Sequence, residues 1–353
     1  MSLITPPQFN RAHRFQSSPY CAPPAPGAAS DSDRSGGFMI ASASSMRRWH
    51  VVDTVRSCLY GEVLRAVEVE HGGYFAIKQM SLERVSSTMR ACKSSEDPLK
   101  EIATLQFLKA HGPHPNVIEV IETLQDAEYI YVVLPFCGGG ELFSLVSTNR
   151  GLSEDASRPI FRGLLDGVAF LHSLQICHRD ISLENILLTD DGRVKIIDFG
   201  MALKFGQTPG PRDGETNPPN SSCVSGTSSA SGGGSSSSAR SIPTAGPFGK
   251  RPYMPPEVAM NEREYDGFAV DIWACGVVMF ITLAGVPPFR LPIPAEDYRC
   301  GFIAVEKRLL ELVRRWNLPL SSELVSLIQS CLLFDPGERS NADELRSHSW
   351  LSL

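Results

Sequence analysis

No two cysteines in this chain stand at C-x-x-C spacing, although it contains nine Cys. An odd, scattered set excludes a disulfide framework and is expected to consist of reduced thiols, as in cytoplasm or nucleus. Charge of neither sign dominates: 33 Lys and Arg against 39 Asp and Glu leave a formal net charge of −6. That balance offers no general affinity for nucleic acid. The N-terminus lacks an apolar core ahead of a cleavage site, so no secretory leader is expected. Ser2 stands where myristoylation requires glycine, which removes that anchor. One uncharged run, Ile272 to Phe289, approaches the length of a membrane span. Gly276, Gly285 and Pro287-Pro288 interrupt it, so a buried core helix is expected, with no membrane partner.

What is present is ordinary globular material: 353 residues, 42% hydrophobic and 20% charged. This suffices for two domains or for one bilobal enzyme with tails. Residues 1–48 are rich in Pro, Ser, Ala and Gly without any period, and are expected to form a disordered tail. From Trp49 the pattern changes. Val51-Val52, Glu62 to Val69 and Tyr74 to Lys78 are strand-like, the last two joined by a turn at His71-Gly72-Gly73. Leu99 to Lys109 places Ile102, Leu105 and Leu108 on one helix face. Val117 to Ile121 and Tyr129 to Leu134 supply two further strands, giving five strands and one main helix. A glycine run at 138–140 then leads into a largely helical region. Ser153 is read as an N-cap, and further helices are expected at 267–285, 300–316, 321–332 and 341–347. Residues 206–247 are nearly all Gly, Pro, Ser, Thr and Ala, and are expected to form a disordered insertion.

Two short strings carry the chemistry. His178-Arg179-Asp180-Ile181-Ser182-Leu183-Glu184-Asn185 precedes a strand pattern, Ile186-Leu187-Leu188. After a turn at Asp190-Asp191-Gly192, a second strand at Val194 to Ile197 leads into Asp198-Phe199-Gly200. A hairpin there gathers Asp180, Asn185 and Asp198 around one point.

These strings resemble H-R-D-x-x-x-x-N and D-F-G of the eukaryotic protein kinase family, Ser/Thr type, and the resemblance runs over residues 51–352. It implies an α+β bilobal fold within 49–353: an N-lobe at 49–136, a hinge at about 135–140 and a helical C-lobe at 141–353. It also implies ATP and Mg²⁺ as cofactors and a protein as substrate. Lys78, in Ala76-Ile77-Lys78, then holds the ATP phosphates and Glu101 orients it. Asp180 accepts the substrate hydroxyl proton, and Asn185 and Asp198 hold Mg²⁺. Gly61, Val63, Ala76, Leu134, Phe136, Cys137, Glu141 and Leu187 fall to the nucleotide pocket, Leu134 as gatekeeper. Leu105, Val120, His178 and Phe199 fall to an apolar spine between the lobes. Pro255-Pro256-Glu257 matches the A-P-E box, with Glu257 expected to pair with Arg339. Asp271 resembles the residue that anchors the catalytic-loop backbone.

Four departures qualify the resemblance. Arg56 and Cys58 occupy the first two positions of the glycine loop, removing close approach of backbone N–H groups to phosphate. Arg56 is a substitute charge there, and the degraded loop keeps a pseudokinase scaffold as the alternative function. Ser182 replaces the usual catalytic-loop lysine, and Lys250 replaces the threonine that such a lysine touches. An exchange is expected, in which Lys250 reaches Asp180 while Ser182 supplies the hydroxyl; an exposed Lys250 is the alternative. The segment from Asp198 to Glu257 is long, with Ser241 and Thr244 as phosphorylation candidates for Arg179. Glu141 and Glu184 match acidic positions that bind upstream arginines, with the ATP ribose as an alternative role for Glu141. With three residues after Trp350, control is expected from the tail, the insertion or a regulatory partner, and oligomeric state is not readable.

Overall fold

The computed structural model describes residues 38–90, 97–205, 241–243 and 246–352. The tail reading for 1–37, the insertion reading for 206–240 and the Thr244 candidate lie outside the described residues. Within them, β-branched and aromatic residues alternate in burial and build one antiparallel sheet. Its strands are β1 (Met39–Ala41), β2 (Arg48–Ser57), β3 (Gly61–Glu68), β4 (Tyr74–Ser81), β5 (Glu122–Gln125) and β6 (Tyr129–Pro135), in the spatial order β1-β2-β3-β4-β6-β5. Successive residues face opposite sides. Val133 packs with Trp49, Leu64, Ala66 and Ile77, whereas Val132 packs with Met80, Leu105 and Phe199 on the cleft side.

The sheet corrects the expectation of five strands and of a tail reaching residue 48. Met39–Ala41 adds a sixth strand, pairing with Arg48–His50, and buries Ile40 against Trp49. A three-residue strand with one inward side chain has too short a pattern to stand out from Pro- and Ser-rich surroundings. A second correction concerns Val117–Ile121. Val117, Ile118 and Val120 are all buried, so the segment has no solvent face, and only Val117 bridges, to Ile196. The strand begins at Glu122 instead. The lobe also carries an unexpected helix, α1 (Leu82–Arg90), which buries only Val85.

The main helix, α2 (Pro98–Ala110), starts where Asp97 accepts the N–H groups of Leu99 and Lys100, with Pro98 at its first position. Its inward face holds Glu101, Leu105 and Leu108. Past the glycine run, Gly140–Glu141 joins a small sheet with Ile186–Leu188 and Val194–Ile196. Helices α3 (Leu142–Asn149) and α4 (Glu154–Ser173) follow, α4 capped by Ser153, whose hydroxyl accepts the Ala156 N–H.

The uncharged run forms the helix Gly267–Ala284, and 94% of its apolar window is buried among the other C-lobe helices. The expected helix at 300–316 is instead broken into Tyr298–Cys300, a wide turn at Gly301–Val305 and Leu309–Arg315, because Lys307 adopts a left-handed φ of 57°. Residues 241–243, assigned above to the disordered insertion, pair as a strand with Glu264–Asp266. Glu257 and Arg339 form a buried bidentate pair at 2.7 and 2.8 Å. Arg339 also donates to the carbonyls of Leu333 and Ala269, so none of this charge is left unsatisfied by burial.

Ile40→Ala tests the added strand. It should lower unfolding stability by about 2 kcal/mol in denaturant titration, with an unchanged m-value. An unaltered midpoint would mean that β1 does not pack in solution.

Candidate active site

Strand register decides which side chains enter the cleft. Arg56 lies opposite Val63, and Val63 opposite Lys78, across β2, β3 and β4. Directly opposed residues share a face, so all three point toward α2 and the C-lobe. Ala76 and Leu134 form the neighbouring pair on β4 and β6. The Lys78 ammonium donates to Glu101 Oε2 at 2.5 Å. Burial opposes that ammonium, but Glu101 and Asp198 outweigh it and hold Lys78 above its ordinary pKa. Lys78 therefore stays charged.

Gly61 closes the hairpin at 58–61, where Cys58 N–H donates to the Gly61 carbonyl at 2.7 Å. A Cβ on Gly61 would collide with the Gln79 carbonyl, so the residue is fixed by the approach of β4. The field of Arg56 reaches both Glu101 and Glu141, which puts a cation in the cleft where the glycine loop has lost its flexible positions. At the hinge, Phe136 N–H donates to the Tyr74 carbonyl and the Cys137 carbonyl accepts from Gly140. Among the described residues no backbone acceptor takes the Cys137 N–H, leaving it as a donor for a ligand edge. Leu187 pairs with Glu141 and Lys195, on the C-lobe side of the cleft.

The catalytic-loop constellation is held from below. Asp271 accepts the N–H groups of His178 at 2.8 Å and Arg179 at 2.7 Å, and an imidazole contact from His172 at 2.9 Å. Arg179 is thereby kept at φ 68°, a left-handed conformation that a non-glycine residue adopts only under constraint. The turn brings Asp180 to Asn185, whose amide donates to Asp180 Oδ2 at 2.7 Å and to its carbonyl at 2.8 Å. With its nitrogen so engaged, Asn185 keeps its amide oxygen as an acceptor. Asp198 also adopts a left-handed φ, 67°. Burial raises its pKa, but Lys78 and the Gly200 N–H prevail and hold it below the ordinary carboxylate range. An ionised carboxylate and an amide oxygen are the hard donors that Mg²⁺ takes alongside phosphate oxygens. Among the described residues no cluster of three His, Cys, Asp or Glu forms a complete metal cage. Asn185 and Asp198 thus fit a cation held jointly with a nucleotide.

Lys250 joins the same group. Its ammonium lies 3.0 Å from Asp180 Oδ2 and 2.9 Å from Ser182 Oγ, and Ser182 is fully buried. The Arg179 guanidinium lies 4.0 Å from the Phe248 ring centroid and its Nη1 donates to the Met201 carbonyl, while its Nε is buried without a hydrogen-bond partner among the described residues. Ser241 donates its hydroxyl to Glu264 at 2.5 Å. Phe248 was not anticipated from sequence. Its only signal was a lone aromatic at the edge of a Ser- and Gly-rich stretch. On the C-lobe side of the cleft, burial pushes Glu141 up to about 8; Arg56 pulls it down and Glu184 pushes it further up. Neither oxygen of Glu141 finds a hydrogen-bond donor among the described residues.

A curled sheet over a helical lobe, with a paired lysine above and an Asp–Asn–Asp set below, defines a phosphoryl-transfer architecture. The chain belongs to the protein kinase family: residues 49–351 match the protein kinase domain. It is 30% identical over 310 residues to serine/threonine-protein kinase SRK2C of Arabidopsis thaliana, covering 86% of this chain and 76% of that protein. Likeness extends to chk1 of Schizosaccharomyces pombe, 30% identical over 79% of this chain and 48% of that one. The serine/threonine-protein kinase PKH3 of Eremothecium gossypii is 28% identical over 81% of this chain, which spans 36% of the relative's length.

Lys78→Met should weaken ATP binding about tenfold by calorimetry, while adenosine binding stays unchanged. An equal loss for both ligands would mean that Lys78 organises the pocket and not the phosphates.

Proposed function

We propose that the protein transfers the γ-phosphoryl group of ATP to Ser or Thr hydroxyls of protein substrates, with Mg²⁺ as the accompanying ion and a preference for arginine upstream of the acceptor. What carries this reading is Asp180, turned by the catalytic loop and fixed by Asn185, together with a Lys78 that Glu101 keeps charged and oriented and whose charge acts on Asp198. Asp180 is the base: the acceptor oxygen attacks Pγ, its proton passes to the Asp180 carboxylate, and the bond to the ADP oxygen breaks. Lys78 steadies the remaining phosphates. Mg²⁺, when bound at Asn185 and Asp198, supplies charge that neutralises phosphate oxygens. The free, buried cysteines Cys137, Cys177, Cys275, Cys300 and Cys331 support a cytoplasmic or nuclear site of action.

The preference for arginine rests on Glu141 and Glu184. A buried carboxylate without a donor is costly, and a guanidinium supplies the missing hydrogen bonds. The free site has Glu141 raised to about 8, so it is largely protonated at neutral pH. An arginine peptide binds the ionised form, and binding therefore releases a proton below that pH. Affinity must rise with pH until Glu141 is ionised in the free protein, and then level off.

The decisive assay is transfer of radiolabel from ATP to an arginine-oriented peptide library, with Asp180→Ala as control. Label on wild-type reactions alone is expected; equal labelling sinks the catalytic reading. In the same assay the KM for an arginine peptide should fall between pH 6.5 and 8.5, at most about tenfold per unit below 8. A peptide without arginine, or the Glu141→Gln variant, should show a flat profile. Parallel slopes for all of these would remove Glu141 from substrate recognition.

A further inference from the structure

A three-residue strap, Phe248-Gly249-Lys250, crosses the catalytic loop and touches it at both ends. At one end the Phe248 ring stacks on the Arg179 guanidinium, 4.0 Å from its centroid, and packs on Tyr265 with centroids 5.1 Å apart. At the other end the Lys250 ammonium donates to Asp180 and to Ser182. Gly249 between them adopts a φ of +80°, which turns the chain tightly enough to make both contacts. The Lys250 backbone then opens the short helical turn Arg251–Tyr253, whose Tyr253 hydroxyl accepts the Leu183 N–H at 3.4 Å. The strap is thus fixed on either side of Lys250 to the loop that carries Asp180.

We infer that Lys250 is the catalytic cation of phosphoryl transfer, supplied by this strap and not by the loop that bears the base, with Ser182 as its hydroxyl anchor. The inference rests on the kinase reading above. Asp180 Oδ2 takes hydrogen bonds from Asn185 and Lys250 together, so one oxygen is fully engaged and the other remains for the acceptor proton. The Lys250 side chain is 37% exposed, whereas the Asp180 side chain is 11% exposed. Lys250 is therefore the more accessible partner of the pair. As the acceptor oxygen bonds to Pγ and the ADP oxygen leaves, charge spreads over the transferred phosphoryl oxygens. The Lys250 ammonium donates hydrogen bonds to them. Ser182 is neutral and cannot do this; its buried hydroxyl holds the ammonium in place beforehand.

A second consequence concerns how the strap is seated. Arg179 has the Phe248 ring and the Met201 carbonyl as partners, so the seated strap and the loop arginine hold one another in place. Docking of Phe248 and arrival of the catalytic charge become one event, and Phe248 is a positioning residue.

The test compares Lys250→Thr, Ser182→Lys, the double variant and Phe248→Leu, each checked for melting temperature and ATP affinity. Lys250→Thr should lower kcat about hundredfold while KM for ATP stays within about threefold. The double variant, which returns the ammonium from the other strand of contact, should recover most of the lost kcat. Phe248→Leu should lower kcat less, again without changing KM for ATP. Wild-type kcat in Lys250→Thr overturns the inference. Failure of the double variant to recover, with folding and ATP binding intact, overturns it too. Neither result touches the kinase reading, which stands or falls with Asp180→Ala.

Discussion

Asp271 is 1% exposed and accepts hydrogen bonds from the His178 and Arg179 backbones while an imidazole from α4 meets it from the side. It stands in the second turn of the apolar helix Gly267–Ala284, beyond the N–H groups of Phe268 and Ala269 that Asp266 caps. Three elements are tied at this carboxylate: the core helix, α4 through His172, and the catalytic loop. The tie compels Arg179 into its left-handed turn, and that turn aims Asp180 at Asn185 and Lys250. A shift of an ångström here would separate the base from both partners, and misplacement on that scale costs phosphoryl transfer far more than it costs folding.

From the same point the constraint passes upward. The His178 Nε2–H donates to the Ile197 carbonyl at 2.9 Å, and the ring packs on Phe199 with centroids 5.1 Å apart. Phe199 is wholly buried in the cluster that contains Leu105 and Val120. Leu105 shares α2 with Glu101, so the catalytic loop and the Lys78 partner are joined through contiguous packing. Asp198 lies between them and feels the Lys78 charge directly. The two halves of the site are consequently set by one stack of side chains, with the strap as a third support.

Much of this was legible from sequence, and the reasons differ by element. The core helix announced itself by its long uncharged run and α2 by its apolar period, whereas their caps, Asp266 and Asp97, came only with the structure. The loops around Asp180 and Asp198 were legible because their chemistry needs fixed residues at fixed spacing. Lys250 could be placed beside Asp180 only through the family resemblance, since no local pattern links positions 70 apart in sequence. Other features depend on tertiary context. Ile40 has no alternating neighbours to mark a strand, and Val117, Ile118 and Val120 are buried in one cluster with Leu105 and Leu171, which imitates a central strand. Lys307 breaks a helix that its flanking leucines would otherwise continue. Phe248 acquires meaning only when Arg179 is seen beneath it.

The direct measure of this dependence is the single-turnover rate of phosphoryl transfer in wild type and in Asp271→Asn, read beside ATP affinity. The amide keeps the size of the carboxylate but gives up one acceptor and the charge. A rate lowered about hundredfold or more, with ATP affinity within about threefold of wild type, is the predicted result. Equal rates in the two proteins would contradict the claim that this buried carboxylate sets the catalytic geometry.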